Sequence, residues 1–307
     1  MRTDHYFKSC GEGKIHYIRW TPEGTPKAVV QILHGIAEYA QRYEDFAGYL
    51  NDLGYLVVAE DHMGHGRSIS KDTTRGYFAG GWFAAVDDSH KLMELTKAEF
   101  PDIPYFIFGH SMGSFMARTW LAKYSEDDLA GAVICGTGWM SPAVLQAGKL
   151  MADMICRKKG ERNPDEGLQA MAFSGYNARV EHPRTGFDWL SRDNHCVDAY
   201  VADPLCGFTA SAGLLRDMFG GMLHIQKPTT LSMMDRQLPV FFIAGGDDPV
   251  GGYGKGVQKT AEAFRKVGME QVDVRIYPLC RHEILNELNR REIWEDVAQW
   301  IEKTLTK

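Results

Sequence analysis

The stretch FGHSMGS, residues 108–114, contains the pattern Gly-x-Ser-x-Gly with Ser111 at its centre. It ends an apolar run at 105–108 and opens a segment with helical periodicity at 112–124. A sharp strand-to-helix turn needs small residues around its apex, and it lifts the central serine above the edge of the sheet. The stretch therefore predicts a nucleophilic serine. A small-residue turn that happens to contain a serine is the alternative.

Short apolar runs recur along the chain, with amphipathic stretches between them. Continuous apolarity is typical of strands that are covered on both faces, as in a parallel sheet. The strand-like runs lie at 28–33, 56–59, 105–108, 132–135, 240–244 and 272–277, and the helix-like stretches lie near 42–53, 83–99, 112–124, 255–268 and 288–304. This alternation predicts an α/β fold, with a mostly parallel sheet flanked by helices.

One long segment, at about 139–237, interrupts the alternation. It has no strand-like run, and methionine and leucine cluster on helix-like stretches, as at Leu150, Met151 and Met154 and again at 214–223. Because the segment lies between two predicted sheet strands, we predict a helical cap at 139–237. It would be inserted into a core formed by 1–138 and 238–307.

The composition narrows the class of protein. The chain has 307 residues, of which 44% are hydrophobic and 24% are charged, and a net charge of -6 argues against nucleic acid as a partner. The N-terminus lacks the apolar core of a signal peptide, and the six cysteines have no metal-like spacing. We expect a cytoplasmic protein with a small-molecule substrate and no cofactor. Membrane contact is expected to be peripheral at most, because no basic amphipathic helix is evident. The oligomeric state is not predicted.

An acidic residue and a histidine follow the last two predicted strands, in GGDDPVG at 245–251 and PLCRHE at 278–283. A serine hydroxyl needs a base to become a nucleophile, and the base needs an acid to orient it. We therefore predict Ser111 as nucleophile, Asp248 as acid and His282 as base. Asp248 is preferred because it stands in the turn before Pro249, while Asp247 stays open as the alternative acid.

The segment LHGIAE at 33–38 follows an early strand and is a candidate oxyanion hole. Gly35 allows a close backbone approach, so the N–H of Ile36 can pair with that of Met112 around a developing negative charge. His34 is predicted to be structural. His62 and His65, in DHMGH at 61–65, have the spacing of metal ligands, but they lie in a tight turn without a third-ligand motif, so no metal is predicted.

Six motifs in order carry a resemblance to a known family. They are HGIAEYAQRY at 34–43, DHMGHGRS at 61–68, GHSMGS at 109–114, DWLSRDNHCVDAYVADPLC at 188–206, GGDDPVG at 245–251 and RHEILNE at 281–287. Together they resemble the monoacylglycerol lipase and lysophospholipase-like branch of the α/β-hydrolase superfamily, often labelled serine aminopeptidase S33-like. The resemblance implies an α/β-hydrolase fold with an eight-stranded sheet. It also implies a triad of Ser111, Asp248 and His282, with the N–H groups of Ile36 and Met112 as the oxyanion hole. Tyr39 departs from the family, which commonly has histidine there, and the cap matches only around 188–206.

The expected activity is that of a serine hydrolase that cleaves carboxylic esters of apolar acyl groups through an acyl-enzyme, with monoacylglycerols or lysophospholipids as substrates. Methionine adapts to varied shapes, so Trp139, Met218 and Met222 of the cap are candidate substrate-binding residues. An aminopeptidase or amidase on the same triad is one alternative, although Asp153, Glu161 and Asp165 form no clear cluster for a substrate amino group. A catalytically silent ligand-binding protein is the other alternative.

Overall fold

The computed structural model describes residues 1–306, through which an eight-stranded sheet runs in the order β1-β2-β4-β3-β5-β6-β7-β8. The strands are β1 Arg2–Lys8, β2 Lys14–Trp20, β3 Val29–Leu33, β4 Leu56–Glu60, β5 Tyr105–His110, β6 Gly131–Cys135, β7 Val240–Gly245 and β8 Val272–Tyr277. All neighbours from β4 to β8 pair in parallel, whereas β1 pairs with β2 and β2 with β4 antiparallel. The mostly parallel, eight-stranded α/β architecture is confirmed.

The six apolar runs recognised in the sequence are the six parallel strands β3 to β8. The two additional strands form an N-terminal hairpin that cannot be recognised from its residue pattern. In β1 only Phe7 is buried, and β2 buries the polar His16 among apolar neighbours. A half-exposed edge hairpin needs no continuous apolar run, so the sequence pattern did not predict it.

Ten α-helices lie within residues 1–306. They are α1 Glu44–Asp52, α2 Gly81–Glu99, α3 Met112–Lys123, α4 Pro142–Lys159, α5 Glu166–Ala172, α6 Asn194–Ala202, α7 Ala212–Ile225, α8 Pro228–Leu231, α9 Lys255–Lys266 and α10 Arg290–Leu305. One apolar core includes Trp82 of α2 and Trp120 of α3, and a second includes Phe46 of α1 and Trp294 of α10. Both aromatic residues of α10, Trp294 and Trp300, are buried in this second core.

Five of these helices, α4 to α8, lie between the parallel neighbours β6 and β7, in the region 139–237 that we call the helical insertion. Helix α7 packs against α2, α3 and α4 and buries Leu214, Leu215, Met218 and Met222. Helix α4 differs, because Leu150, Met151 and Met154 are exposed and its last turn carries Arg157, Lys158 and Lys159. Helix α4 thus combines exposed apolar side chains with a basic last turn, and the expectation that membrane contact is peripheral at most stays a prediction. No helix in residues 1–306 has the length and apolarity needed to cross a membrane.

Candidate active site

Ser111 stands at the turn between β5 and α3, with a backbone φ of 54° and ψ of -120°. A positive φ is costly for a residue with a side chain, so the neighbouring contacts must hold it. The two flanking positions, 109 and 113, can hold only glycine, because any side chain there would clash. A Cβ on Gly109 would lie 2.5 Å from the carbonyl oxygen of Gly113, and one on Gly113 would lie 2.1 Å from that of Leu33. The pattern in FGHSMGS therefore builds the turn that presents the Ser111 side chain.

Asp248 and His282 meet at the carboxyl edge of the sheet. His282 Nδ1 lies 3.0 Å from Asp248 Oδ1, and both side chains are almost fully buried, at 2% and 0% exposure. The same carboxylate oxygen accepts a hydrogen bond of 2.8 Å from the Val250 N–H. Asp247 is exposed instead, and its side chain lines a small surface cavity. Of the two candidate acids, the structure brings Asp248 to the histidine.

Ser111 and His282 border the same cavity. Within residues 1–306 the Ser111 hydroxyl makes no direct hydrogen bond to the His282 ring, as is common before a substrate tightens such a site. The imidazole is held by its surroundings, since its ring centroid lies 4.8 Å from that of His110 and 5.0 Å from that of Trp189. Gly136 makes room for it, because a Cβ there would lie 3.1 Å from His282 Cε1.

The two N–H groups predicted for the oxyanion hole have no acceptor within residues 1–306. Met112 is the first residue of α3, so its N–H is one of the unsatisfied groups at the positive end of the helix dipole. Ile36 follows Gly35, whose own N–H is bound to Glu38 Oε1 at 2.6 Å. A Cβ on Gly35 would lie 3.1 Å from the Ser111 Cβ, so the loop can approach the serine only with glycine at this position.

A buried charged network lies behind these groups. Arg42 donates to Glu38 Oε2 at 2.6 Å and to both carboxylate oxygens of Glu283 at 2.7 Å, and Tyr43 donates to Glu38 Oε1 at 3.0 Å. His110 Nδ1 lies 3.1 Å from the same Glu38 oxygen. The network joins the oxyanion loop, the turn at Ser111 and the loop of His282. It was missed in the sequence, where the four-residue spacing of Glu38 and Arg42 was the only signal.

The charges in this network shift one another's pKa values. Burial alone raises the pKa of Glu38, but Arg42 and His110 lower it more, so the carboxylate is ionised. Burial likewise lowers the pKa of His110, and the hydrogen bond and charge of Glu38 outweigh it, so the net shift is upward. The site is therefore held by paired charges that remain charged in the interior.

Two chambers meet at Ser111. The larger, of about 620 Å³, is bordered by His282 and by insertion residues that include Phe173, Tyr176 and Phe208. The smaller, of about 230 Å³, is lined mainly by apolar side chains: Ile36, Met112, Phe115, Trp139, Met140, Ala172, Phe173, Tyr176, Trp189, Met218, Phe219, Met222, Pro249 and Val250. All three predicted substrate-binding residues of the insertion, Trp139, Met218 and Met222, thus lie at this smaller chamber.

The remaining candidate residues have structural partners. His34 Nδ1 lies 2.6 Å from the Gly35 carbonyl oxygen, and His34 Nε2 accepts from the His62 N–H at 2.9 Å. Burial lowers the pKa of His34 and takes that of His65 to about 4, so both rings are neutral. Within residues 1–306 no group of three or more histidine, cysteine or acidic side chains has a geometry that could hold a metal ion.

The acidic residues considered for binding a substrate amino group are paired elsewhere. Asp153 binds Lys149, Glu161 binds Tyr77 and Arg216, and Asp165 binds Lys159 while capping α5. None of Asp153, Glu161 and Asp165 lines either chamber in the part of the chain that the structure describes.

Comparisons with known proteins agree with this architecture. A family model described as serine aminopeptidase, S33, matches residues 24–289. The chain is 30% identical to a monoacylglycerol lipase of Mycolicibacterium smegmatis, over 98% of this chain and 97% of that one. It is 26% identical to a monoglyceride lipase of Mus musculus, over 94% and 88%. A thermostable carboxyl esterase from Bacillus coagulans, solved in complex with glycerol, superposes with a TM-score of 0.89 at 28% identity over 99% of both chains.

Fold and comparisons together define the class as an α/β-hydrolase that hydrolyses carboxylic esters. Within that class, the chain belongs to the serine aminopeptidase S33 family, in its monoacylglycerol lipase-like branch. The family resemblance read from the six motifs is confirmed.

Proposed function

We propose that the protein is a serine hydrolase that cleaves esters of apolar acyl groups by means of Ser111, His282 and Asp248. The observation that carries the proposal is the buried His282–Asp248 pair, whose histidine borders the same cavity as a serine held at a positive φ at a helix N-terminus. A nucleophile, a base and an orienting acid in this order match the requirements of acyl transfer.

The reaction proceeds in two steps. His282 Nε2 takes the proton of the Ser111 hydroxyl as the oxygen attacks the ester carbonyl, while Asp248 accepts the hydrogen bond of Nδ1 and stabilises the imidazolium. The N–H groups of Ile36 and Met112 bind the tetrahedral oxyanion, each contributing about 3 kcal/mol to the transition state. The alcohol leaves with the proton from His282, and water then repeats the sequence on the acyl-enzyme.

We infer that the helical insertion 139–237 acts as a cap over the core 1–138 and 238–307. The smaller chamber would take the acyl group, because Phe115, Trp139, Met218, Phe219 and Met222 offer it apolar surface. The larger chamber would then receive the alcohol part. Monoacylglycerols are the first substrates to test because monoacylglycerol lipases are among the relatives, and lysophospholipids are the second. The expected cytoplasmic location rests on composition alone.

The test is the intact mass of the protein after incubation with a fluorophosphonate, run beside Ser111→Ala. We expect one phosphonyl adduct on the wild type and none on the variant. A series of p-nitrophenyl esters, matched amides and monoacylglycerols then establishes the substrate class. A well-folded wild type that acquires no adduct and cleaves no ester contradicts the proposal and favours the ligand-binding alternative.

A further inference from the structure

Ala37, the residue after the proposed oxyanion donor Ile36, has a φ of +54°. A residue with a side chain avoids this left-handed region unless its surroundings hold it there. The peptide groups on either side of Ala37 include the Ile36 carbonyl and the Glu38 N–H, so its conformation sets the path of the whole loop. The Ile36 N–H belongs to the preceding peptide group, so whatever holds Ala37 restricts the position of the backbone that carries this N–H.

The groups that hold Ala37 come from the helical insertion. Its carbonyl oxygen accepts a hydrogen bond of 2.9 Å from the Gly207 N–H and one of 3.0 Å from the Tyr200 hydroxyl. Tyr200 is 6% exposed, and the guanidinium carbon of Arg42 lies 4.8 Å from the centre of its ring. A second tie follows two residues along the loop, where the Tyr39 hydroxyl donates to the Asp203 carboxylate at 2.7 Å.

The core holds the loop on its other side. The Gly35 N–H donates to Glu38 Oε1 at 2.6 Å, and that carboxylate is fixed in turn by Arg42 and Tyr43. Ile36 thus lies between one anchor in the core, at Gly35, and one anchor in the insertion, at Ala37. Its N–H is free while the backbone around it is held at both ends.

The same part of the insertion is bonded to the loop that carries His282. The carbonyl of Trp189 accepts from the His282 N–H at 3.3 Å, and that of Leu190 accepts from the Glu283 N–H at 2.7 Å. The Arg281 guanidinium donates to the carbonyls of Asp188 at 2.6 Å and Ser191 at 2.9 Å. One segment, 188–207, therefore contacts both the base loop and the oxyanion loop through backbone hydrogen bonds.

We propose that segment 188–207 is a fixed part of the active site and that Tyr200 is a positioning residue, which holds Ala37 left-handed and so aims the Ile36 N–H at the oxyanion. The inference rests on the proposed function and deepens it. It assigns to this segment a role in stabilising the transition state, separate from covering the substrate. The remainder of the insertion is free to serve selectivity.

The first test is Tyr200→Phe, which removes the hydroxyl and keeps the ring against Arg42. We expect kcat for a p-nitrophenyl ester to fall about tenfold with KM within twofold of wild type, because the lost interaction matters only when the oxyanion forms. The inhibition constant of a trifluoromethyl ketone, whose adduct with serine carries the same oxyanion, should rise by the same factor as kcat falls. A role in packing alone would not link these two quantities.

The matched control is Tyr77→Phe, since Tyr77 also donates from the core to the insertion, at Glu161, but borders neither chamber. Its kcat and ketone inhibition constant should stay within twofold of wild type. Adding Ala37→Gly to Tyr200→Phe should return kcat toward the wild-type value, because glycine adopts a positive φ without a side-chain penalty. Because Ala37→Gly adds no contact, such a rescue would identify the conformation of Ala37 as the cause of the lost activity.

Each outcome decides the proposal. Tyr200→Phe with kcat and ketone inhibition equal to those of Tyr77→Phe overturns it. If Tyr200→Phe fails to fold, Tyr39→Phe takes its place with a smaller parallel loss of kcat and ketone affinity, and unchanged values overturn the proposal. Fluorophosphonate labelling of the wild type distinguishes failure of the positioning role from failure of the proposed function. If the wild type is labelled and cleaves esters, only the positioning role is in question. If it is not labelled, both the positioning role and the proposed function are contradicted.

Discussion

The edge of the sheet and the helical insertion build the site from opposite kinds of side chain. At the sheet edge, the buried Asp248 is bound to the buried His282, and the buried Glu38 is bound to the largely buried Arg42. The insertion contributes Phe173, Met218 and other apolar or aromatic groups that bound the two chambers. Polar groups that are fixed before the reaction can stabilise a developing charge, whereas apolar walls act through shape. We therefore expect the sheet edge, together with segment 188–207, to carry the chemistry and the rest of the insertion to govern selectivity.

The largest expected effect comes from Asp248→Asn, which keeps the size of the side chain and removes the charge that fixes the His282 tautomer. We expect kcat to fall by about 10³- to 10⁴-fold with little change in KM, as for other triads that lose their acid. The measurement is steady-state hydrolysis of a p-nitrophenyl ester. Asp247→Asn is the matched control and should stay within threefold of wild type. A larger loss in Asp247→Asn than in Asp248→Asn would contradict the assignment of the acid.

The next effect concerns the stability of the sheet edge. Arg42→Met leaves Glu38 and Glu283 buried without their cation, so we expect the free energy of unfolding to fall by about 3–5 kcal/mol in urea at pH 7. Arg162→Met breaks an ion pair with Glu12 in which both side chains are over 40% exposed, and should cost less than about 1 kcal/mol. Equal losses in the two variants would show that the network does not hold the edge.

The pH dependence of the same variant has a definite sign. In the wild type the pKa of Glu38 is lowered and so is that of Glu283, because Arg42 outweighs the opposing effect of burial. This stabilisation is present above the pKa of an unfolded glutamate, about 4.3, and is lost as the pH falls. In Arg42→Met only His110 and weaker partners still oppose the burial, so both pKa values rise and stability should decline as the pH increases from 5 to 8. Urea unfolding at pH 5 and at pH 8 measures this reversal.

The same contrast explains what could be predicted from the sequence. The strands β3 to β8 and the order of Ser111, Asp248 and His282 were accessible because buried parallel strands leave continuous apolar runs, and site residues follow their carboxyl ends. The Glu38–Arg42–Glu283 network was not accessible, because a charged residue that will be buried and paired has the same local pattern as a solvated one. The conformation of Ala37 was hidden for a related reason, since its cause lies in Tyr200 and Gly207, over 160 residues away in the chain.

A substitution in the smaller chamber tests the role of the insertion. Met218→Trp places a larger side chain in a chamber of about 230 Å³ and so reduces its free volume. The kcat/KM for long acyl esters should therefore fall about 10- to 100-fold, while that for acetate esters stays unchanged. The pH profile and the labelling rate with a small fluorophosphonate should not change, because the sheet edge is untouched. Met154→Trp, on the exposed face of α4, is the matched control and should leave the chain-length profile as it is. An unchanged chain-length profile in Met218→Trp would indicate that the acyl group binds in the larger chamber instead.

The smallest expected effect separates the two faces of α4. Leu150→Gln combined with Met154→Gln replaces side chains that are 53% and 62% exposed, so the free energy of unfolding should change by less than about 0.5 kcal/mol. Leu145→Ala, on the buried face of the same helix, should cost about 2–5 kcal/mol. Urea unfolding of the wild type and the two variants, each at two protein concentrations, measures these changes. A large, concentration-dependent loss in the double variant would mean that a second copy covers these side chains. An unchanged stability would instead leave the outer face of α4 free to vary without disturbing either the core or the segment 188–207.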